Sequence, residues 1–340
     1  MTHQPCTLAT ACWHPDPYPF YADLRARHPD GLFFDEEQAL WVACSAAAVD
    51  AALQAPELVV RPPAEAVPRA LRGRPSGQVF GGLMRMNEGQ AHQQPKAEAL
   101  PFLARLEAAL PAAVQQVMAA GFSPRRQPID ELLFDAPLGL LAALLGLPAG
   151  QWRPTARAVR RLVAAWSPMA DHAAHHAGDA AANELLAAFD GQVNRIGFFT
   201  QTCDATAGLI GNALVAWQRD AAAAFDVPWL QDTARQDPAV QNTRRWATAP
   251  VRLCGQALQP GDAMLVLLAS ANHDTVAPQS GFGWGRGRHA CPGERLSQAM
   301  AIALLRAWRD EDEHGLHQFT ARWHYRPSPN ARIPRFDQGA

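Results

Sequence analysis

The sequence predicts a mainly α-helical single domain spanning residues 1–340, with a small β region. Three observations carry this. Between about residues 90 and 245, Ala/Leu-rich segments alternate with Pro and Gly breakers in an almost wholly helical pattern. Short apolar runs bounded by turn residues flank that block. A Gly/Arg-rich loop at 281–293 then leads into an amphipathic stretch at 294–310.

In chain order, Asp16-Pro17-Tyr18-Pro19 opens a first helix carrying Phe20, Tyr21, Leu24 and Arg25, with Pro19 suited to a first turn. Residues 32–34 and 40–43 read as strands around an Asp35-Glu36-Glu37 turn. The Pro/Arg/Gly-rich stretch 61–82 reads as a long loop. In the stretch 194–219, Ile196, Phe199, Leu209, Ile210, Ala213, Leu214 and Trp217 recur at helical spacing. Apolar residues occupy much of its other side too, so this helix is buried nearly all round. Pro260-Gly261-Asp262 is a turn before an apolar run, and 323–327 alternates like a strand.

Composition bounds the function. The 340 residues are 48% hydrophobic and 18% charged, which permits a substantial core and excludes a disordered chain. A net charge of -2 gives no basic footprint for nucleic acid. Six scattered cysteines without a C-x-x-C pair argue against a zinc knuckle or a disulfide framework. The N-terminus lacks a signal-peptide pattern, and the run 263–269 is too short to span a bilayer. A reduced, cytoplasmic protein is the expectation.

The loop Trp284-Gly285-Arg286-Gly287-Arg288-His289-Ala290-Cys291-Pro292-Gly293 has what an iron–thiolate site needs. Glycines let backbone fold tightly around a sulfur. Pro292 suits a first helical position, which puts Cys291 at a helix N-terminus, where N–H groups favour thiolate. This loop resembles the haem-binding signature of the cytochromes P450, F-G-x-G-x-H-x-C-x-G, with Trp284 in place of Phe. Further resemblance lies in residues 16–25, in Ala271-Asn272-His273-Asp274, in Tyr325-Arg326-Pro327 and in the stretch 206–214, which is similar to the family's oxygen-side helix.

The resemblance implies the cytochrome P450 fold, a helical triangular prism with a small β region, here shortened. It implies haem b, with Cys291 as the iron ligand and Trp284, His289 and Gly293 in the cofactor loop. His92 and Lys96, four apart on one helix face, with Arg252 and His289, are the expected propionate partners. Lys96 replaces the family's arginine.

Three departures stand out. Gln201-Thr202-Cys203-Asp204-Ala205-Thr206 replaces the family's A/G-G-x-D/E-T-T/S. Asp204 keeps the acid, but Ala205 removes the alcohol that helps deliver protons, leaving Thr206, Thr202 or a substrate hydroxyl to supply one. Gln241-Asn242-Thr243-Arg244 is read as the family's E-x-x-R, with a neutral Gln–Arg hydrogen bond linked to a shortened segment between Asp274 and Trp284. The helices before Asn194 look short, which implies a more open lid.

The activity implied is a haem-thiolate oxidoreductase, a monooxygenase acting on a small organic molecule with O2 and electrons from a separate ferredoxin or flavodoxin. Two rivals stand beside it: peroxide-driven, coupling or dehydration chemistry without the usual proton relay, and a non-catalytic haem protein. His172, His175 and His176 have helical spacing, but with only Asp171 nearby they read as a solvated face. Met84 and Met86 read equally as pocket lining or core.

Overall fold

The computed structural model describes residues 5–337. The first elements are α1 (Tyr18–Arg27), β1 (Leu32–Asp35), β2 (Leu40–Ala43), α2 (Ala46–Gln54), β3 (Leu58–Val59) and α3 (Pro75–Gly82). The helical block follows as α4 (Gln90–Glu107), α5 (Leu110–Ala119), α6 (Ile129–Leu144), α7 (Ala149–Ala165), α8 (His172–Ala188), α9 (Val193–Trp217) and α10 (Val227–Gln236). The chain ends in β4 (Thr243–Ala247), β5 (Val251–Leu253), β6 (Gln256–Leu258), β7 (Ala263–Val266), α11 (Leu268–Asn272), α12 (Glu294–Phe319), β8 (Trp323–Tyr325) and β9 (Pro334–Phe336).

The five-stranded sheet has the order β1-β2-β7-β4-β3 and is antiparallel except at the β2/β7 pair. Two hairpins, β5-β6 and β8-β9, complete the β region. The core is one large helical cluster plus two smaller ones against the sheet. α9 runs through the large cluster with residues 206–215 all buried, as the all-round apolar pattern demands. It admits β9 at close range because Gly211 has no side chain. A Cβ there would lie 2.5 Å from Pro334 Cγ.

Side-chain caps fix the helix starts. Ser45 accepts from the Ala48 N–H, Asp171 from Ala174 and Asp226 from Trp229.

Three expectations change. The last eight residues of the loop expected at 61–82 are α3, where Pro75 sits in the first turn and the Ser76 hydroxyl donates to Asp179 at 2.6 Å. Its glycines hide the helix in the sequence, yet Gly77 is there because a Cβ would meet the Leu71 carbonyl at 1.9 Å. The final helix runs on to Phe319 with a break at Asp312, whose carboxylate accepts the Gly315 N–H and starts a new turn. α7 and α8, expected to be short, are 17 residues each. They pack closely, with Gly178 against Ala165.

Candidate functional site

The Cys291 loop is closed by its own backbone. The Cys291 N–H donates to the Trp284 carbonyl at 2.9 Å, and Gly285 donates to Phe282 at 2.8 Å. Gly285 and Gly287 both adopt positive φ, which glycine alone adopts without strain. Trp284 packs at the margin of the large core. α12 begins at Glu294 with Gly293 in the cap position, so Pro292 lies in the preceding turn rather than in the helix. The Gly293 N–H still reaches the Cys291 sulfur, but burial outweighs it and pushes the thiol pKa up. Cys291 is nonetheless accessible to solvent. An enclosed yet accessible sulfur lies in a recess, not within packed core.

Helix α4 laces this loop from one side. Both ring nitrogens of His92 meet carbonyl oxygens, Nδ1 that of Met84 at 3.0 Å and Nε2 that of Arg288 at 2.9 Å. Lys96 Nζ donates to the carbonyls of Arg288 and Ala290 at 2.5 and 2.7 Å. The His92 and His289 rings lie 4.0 Å apart. Glu88 receives Arg288 Nε at 2.9 Å and lies 3.0 Å from His289 Nε2. Burial holds His289 below the ordinary imidazole range, so Arg288 is the charge partner and His289 a neutral donor. Arg288 also binds the carbonyls of Ala55 and Leu58. It fastens the loop to the sheet edge.

Thus His92, Lys96, His289, Cys291, Trp284 and Gly293 come together. Arg252 does not. It points outward from the β5-β6 hairpin and donates to the Gly255 carbonyl. Arg245, on β4, is the buried cation instead. It is 5% exposed, and burial with the neighbouring Arg288 charge lowers its pKa to about 10. Its hydrogen bonds go only to Thr243 Oγ1 and the Arg244 carbonyl, and no carboxylate pairs with it among the described residues. A buried guanidinium so placed calls for an anionic group. The signal was a second arginine directly after Arg244, and strand alternation turns exactly one of the two inward.

Gln241 and Arg244 form no pair. Gln241 is fully buried and its amide donates to the Pro238 carbonyl at 2.7 Å, while Arg244 is exposed. An acid and an arginine with the i,i+3 spacing occur earlier, on α10, where Arg235 Nη2 lies 3.0 Å from Asp232 Oδ1. The short segment after Asp274 is tied to α10 by Asn272, which donates to the Arg235 carbonyl and accepts from the Phe282 N–H.

On the α9 side, Asp204 and Ala205 are half-buried and Thr206 is buried. Burial raises the Asp204 pKa, opposed by the Cys203 thiol and by Arg326, Arg160 and Arg85. Arg85 Nη1 donates to Gln201 Oε1 at 2.5 Å. Met84 and Met86 pack against the large core. Among the described residues no three His, Cys, Asp or Glu side chains form a metal cluster, so the His172 group stays a helix face.

The residues present fit haem. The recessed thiol would supply a soft iron ligand, and Arg245, with no carboxylate partner among the described residues, would supply a cation for a propionate, beside Lys96 and the two imidazoles.

No family model matches the chain. A 111-residue stretch is 27% identical to the biotin biosynthesis cytochrome P450 of Bacillus subtilis (strain 168), covering 29% of this chain and 28% of that protein. The match thus spans under a third of the relative's length. Among solved structures, P450BioI in complex with hexadec-9Z-enoic acid ligated acyl carrier protein superposes with a TM-score of 0.78 at 17% identity, over 94% of this chain and 97% of that one. The ligand-free P450 monooxygenase TamI gives 0.73 at 18%, over 98% and 93%. P450 RauA complexed with a biosynthetic intermediate of aurachin RE gives 0.72 at 17%, over 97% and 98%. The chain has the cytochrome P450 fold, as the Cys291 loop and the 206–214 helix imply. No helix among the described residues is long and apolar enough to cross a membrane.

Proposed function

We propose that this protein is a haem-thiolate oxidoreductase, a monooxygenase of a small organic molecule fed by a separate ferredoxin or flavodoxin. The observation that carries the reading is the accessible Cys291 sulfur in a loop held by His92 and Lys96, with His289 in the same loop and the buried Arg245 near that imidazole. Cys291 would hold the iron of haem b. Arg245, Lys96, His92 and His289 would meet the propionates. A thiolate-ligated iron supplies the electron push that favours O–O cleavage.

The chain's own residues bear on proton supply. Asp204, raised by burial, holds a proton at its carboxyl closer to neutral pH than a solvated aspartate does. Ala205 has no hydroxyl to pass that proton on, and Thr206, one position further, is buried in the packed helix. This favours a second reading, peroxide-driven chemistry, over coupling or dehydration.

The test is optical and then kinetic. Reduced protein under carbon monoxide should show the strongly red-shifted Soret band of a thiolate ligand, and Cys291→Ser should lose it. Haem-loaded protein without that band would overturn the reading. With surrogate partners, NADH use should release much of its oxygen as peroxide, and Ala205→Thr should reduce that leak. Efficient turnover with added peroxide in place of partners would favour the second reading.

A further inference from the structure

We propose that Arg85 is the docking cation for a substrate bearing a carboxylate, which narrows the substrate class of the site just described and rests on that reading.

Arg85 is held from both flanks. It lies in the short turn Met84–Met86 between α3 and α4. The Met84 N–H donates to Asn194 Oδ1 on α9 at 2.8 Å, and the Met84 carbonyl meets His92 Nδ1 at 3.0 Å on α4. The backbone is therefore fixed to both walls of the recess before any ligand arrives, and little ordering remains to oppose binding.

Its head group lacks a counter-charge. Arginine carries five N–H donors, and the side-chain hydrogen bond here is the one to the neutral amide oxygen of Gln201. No carboxylate pairs with it among the described residues. Asp204 senses the guanidinium but is itself pushed towards its neutral form by burial, so it compensates the charge poorly. Like Cys291, Arg85 is accessible yet closely surrounded by protein atoms, and burial lowers its pKa. Its hydrogen bond to Gln201 on α9, with the adjoining Met84 tied to His92 and His92 in turn to the Arg288 carbonyl, places it between α9 and the helix that holds the cysteine loop. A guanidinium with no carboxylate partner keeps free donors in a fixed fork, and a carboxylate matches that fork.

The haem propionates are the other source of such an anion. Lys96 and His92 spend hydrogen bonds on the carbonyls of the cysteine loop itself, whereas the Arg85 head group donates to Gln201 on α9. Gln201, where the family resemblance puts a small residue, orients the guanidinium. The thioethers of Met84 and Met86 beside it suit an apolar body behind the anionic head.

The experiment uses the haem-loaded full chain at low salt. Dodecanoate and phenylacetate are compared with dodecanol and with phenylethanol, by calorimetry and by the ligand-induced Soret shift. The carboxylates should bind about 10- to 100-fold more tightly than their neutral partners. Arg85→Gln should erase that preference while binding of the alcohols and haem content per chain stay unchanged. Arg85→Lys should keep part of it. Carboxylates that bind no better than the alcohols would overturn the proposal. So would an Arg85→Gln protein that loses haem but keeps the preference, since Arg85 would then serve a propionate. The carbon monoxide spectrum, taken before any ligand is added, reports separately on the haem-thiolate reading.

Discussion

Gln241 lies beside Asp237, its Nε2 3.5 Å from the carboxylate Oδ1. That carboxylate already accepts the hydroxyls of Tyr18 and Tyr325 and lies 2.7 Å from Arg332 Nε. Gln241 is therefore the neutral neighbour of a saturated acid, not the remnant of an acid–arginine pair. Gln241→Glu should destabilise the protein by about 2–4 kcal/mol at neutral pH, because it buries a second carboxylate against the first. Chemical denaturation read by fluorescence measures this, with Gln241→Met, which brings no charge, as the control.

The exposed pair on α10 predicts the opposite. Asp232 and Arg235 side chains retain 56% and 33% exposure, so their ion pair is screened by water. Asp232→Asn should cost less than about 1 kcal/mol. A loss of several kcal/mol would mean that the short segment after Asp274 depends on the pair more than its contacts through Asn272 indicate.

Glu88 sets a pH dependence. Burial works to raise its pKa, but the hydrogen bonds and charges of His289 and Arg288 outweigh it and lower the value from 4.5 to about 2. A depressed carboxylate stabilises the fold above the unfolded value, and the contribution is lost as pH falls through the folded value. Stability should therefore fall between about pH 5 and pH 2. The loss is about 2 kcal/mol, because the Glu88 side chain keeps 27% exposure and water screens the pairing. Glu88→Gln should be less stable at pH 7 and show a flatter acid limb. An unchanged acid limb would contradict the Arg288 pairing.

The cysteine loop was legible because its chemistry is contiguous. Gly285, Gly287, His289 and Cys291 need only local turns to converge, and His92 and Lys96 need only one helix turn. Arg245 was not legible, because which of Arg244 and Arg245 faces inward depends on the β4/β7 register, in which Arg245 pairs with Met264. Asp232 and Arg235 were passed over since the same spacing recurs, with Gln for the acid, at Gln241 and Arg244. α3 was hidden by glycines whose reason is tertiary, the close approach of Leu71. Arg85 carries no sequence signal at all, because its meaning comes from Asn194 and Gln201 across the recess.

Arg245 yields a prediction with two opposite signs. In the haem-free protein it is a buried cation whose side-chain hydrogen-bond partners among the described residues are a hydroxyl and a carbonyl. Removing such a charge relieves its desolvation cost, so Arg245→Met should raise the stability of the haem-free protein by about 1–3 kcal/mol. With haem bound, the same guanidinium would pair with a propionate on the proposed reading, and its loss should then speed haem transfer to an acceptor globin. Thermal unfolding of the haem-free form reads the first effect, and the transfer rate reads the second. Arg252→Met, on the exposed hairpin, should change neither. If Arg252→Met sped transfer and Arg245→Met did not, the cation serving the cofactor would be the one on β5, and the inward placement of Arg245 would have no part in holding it.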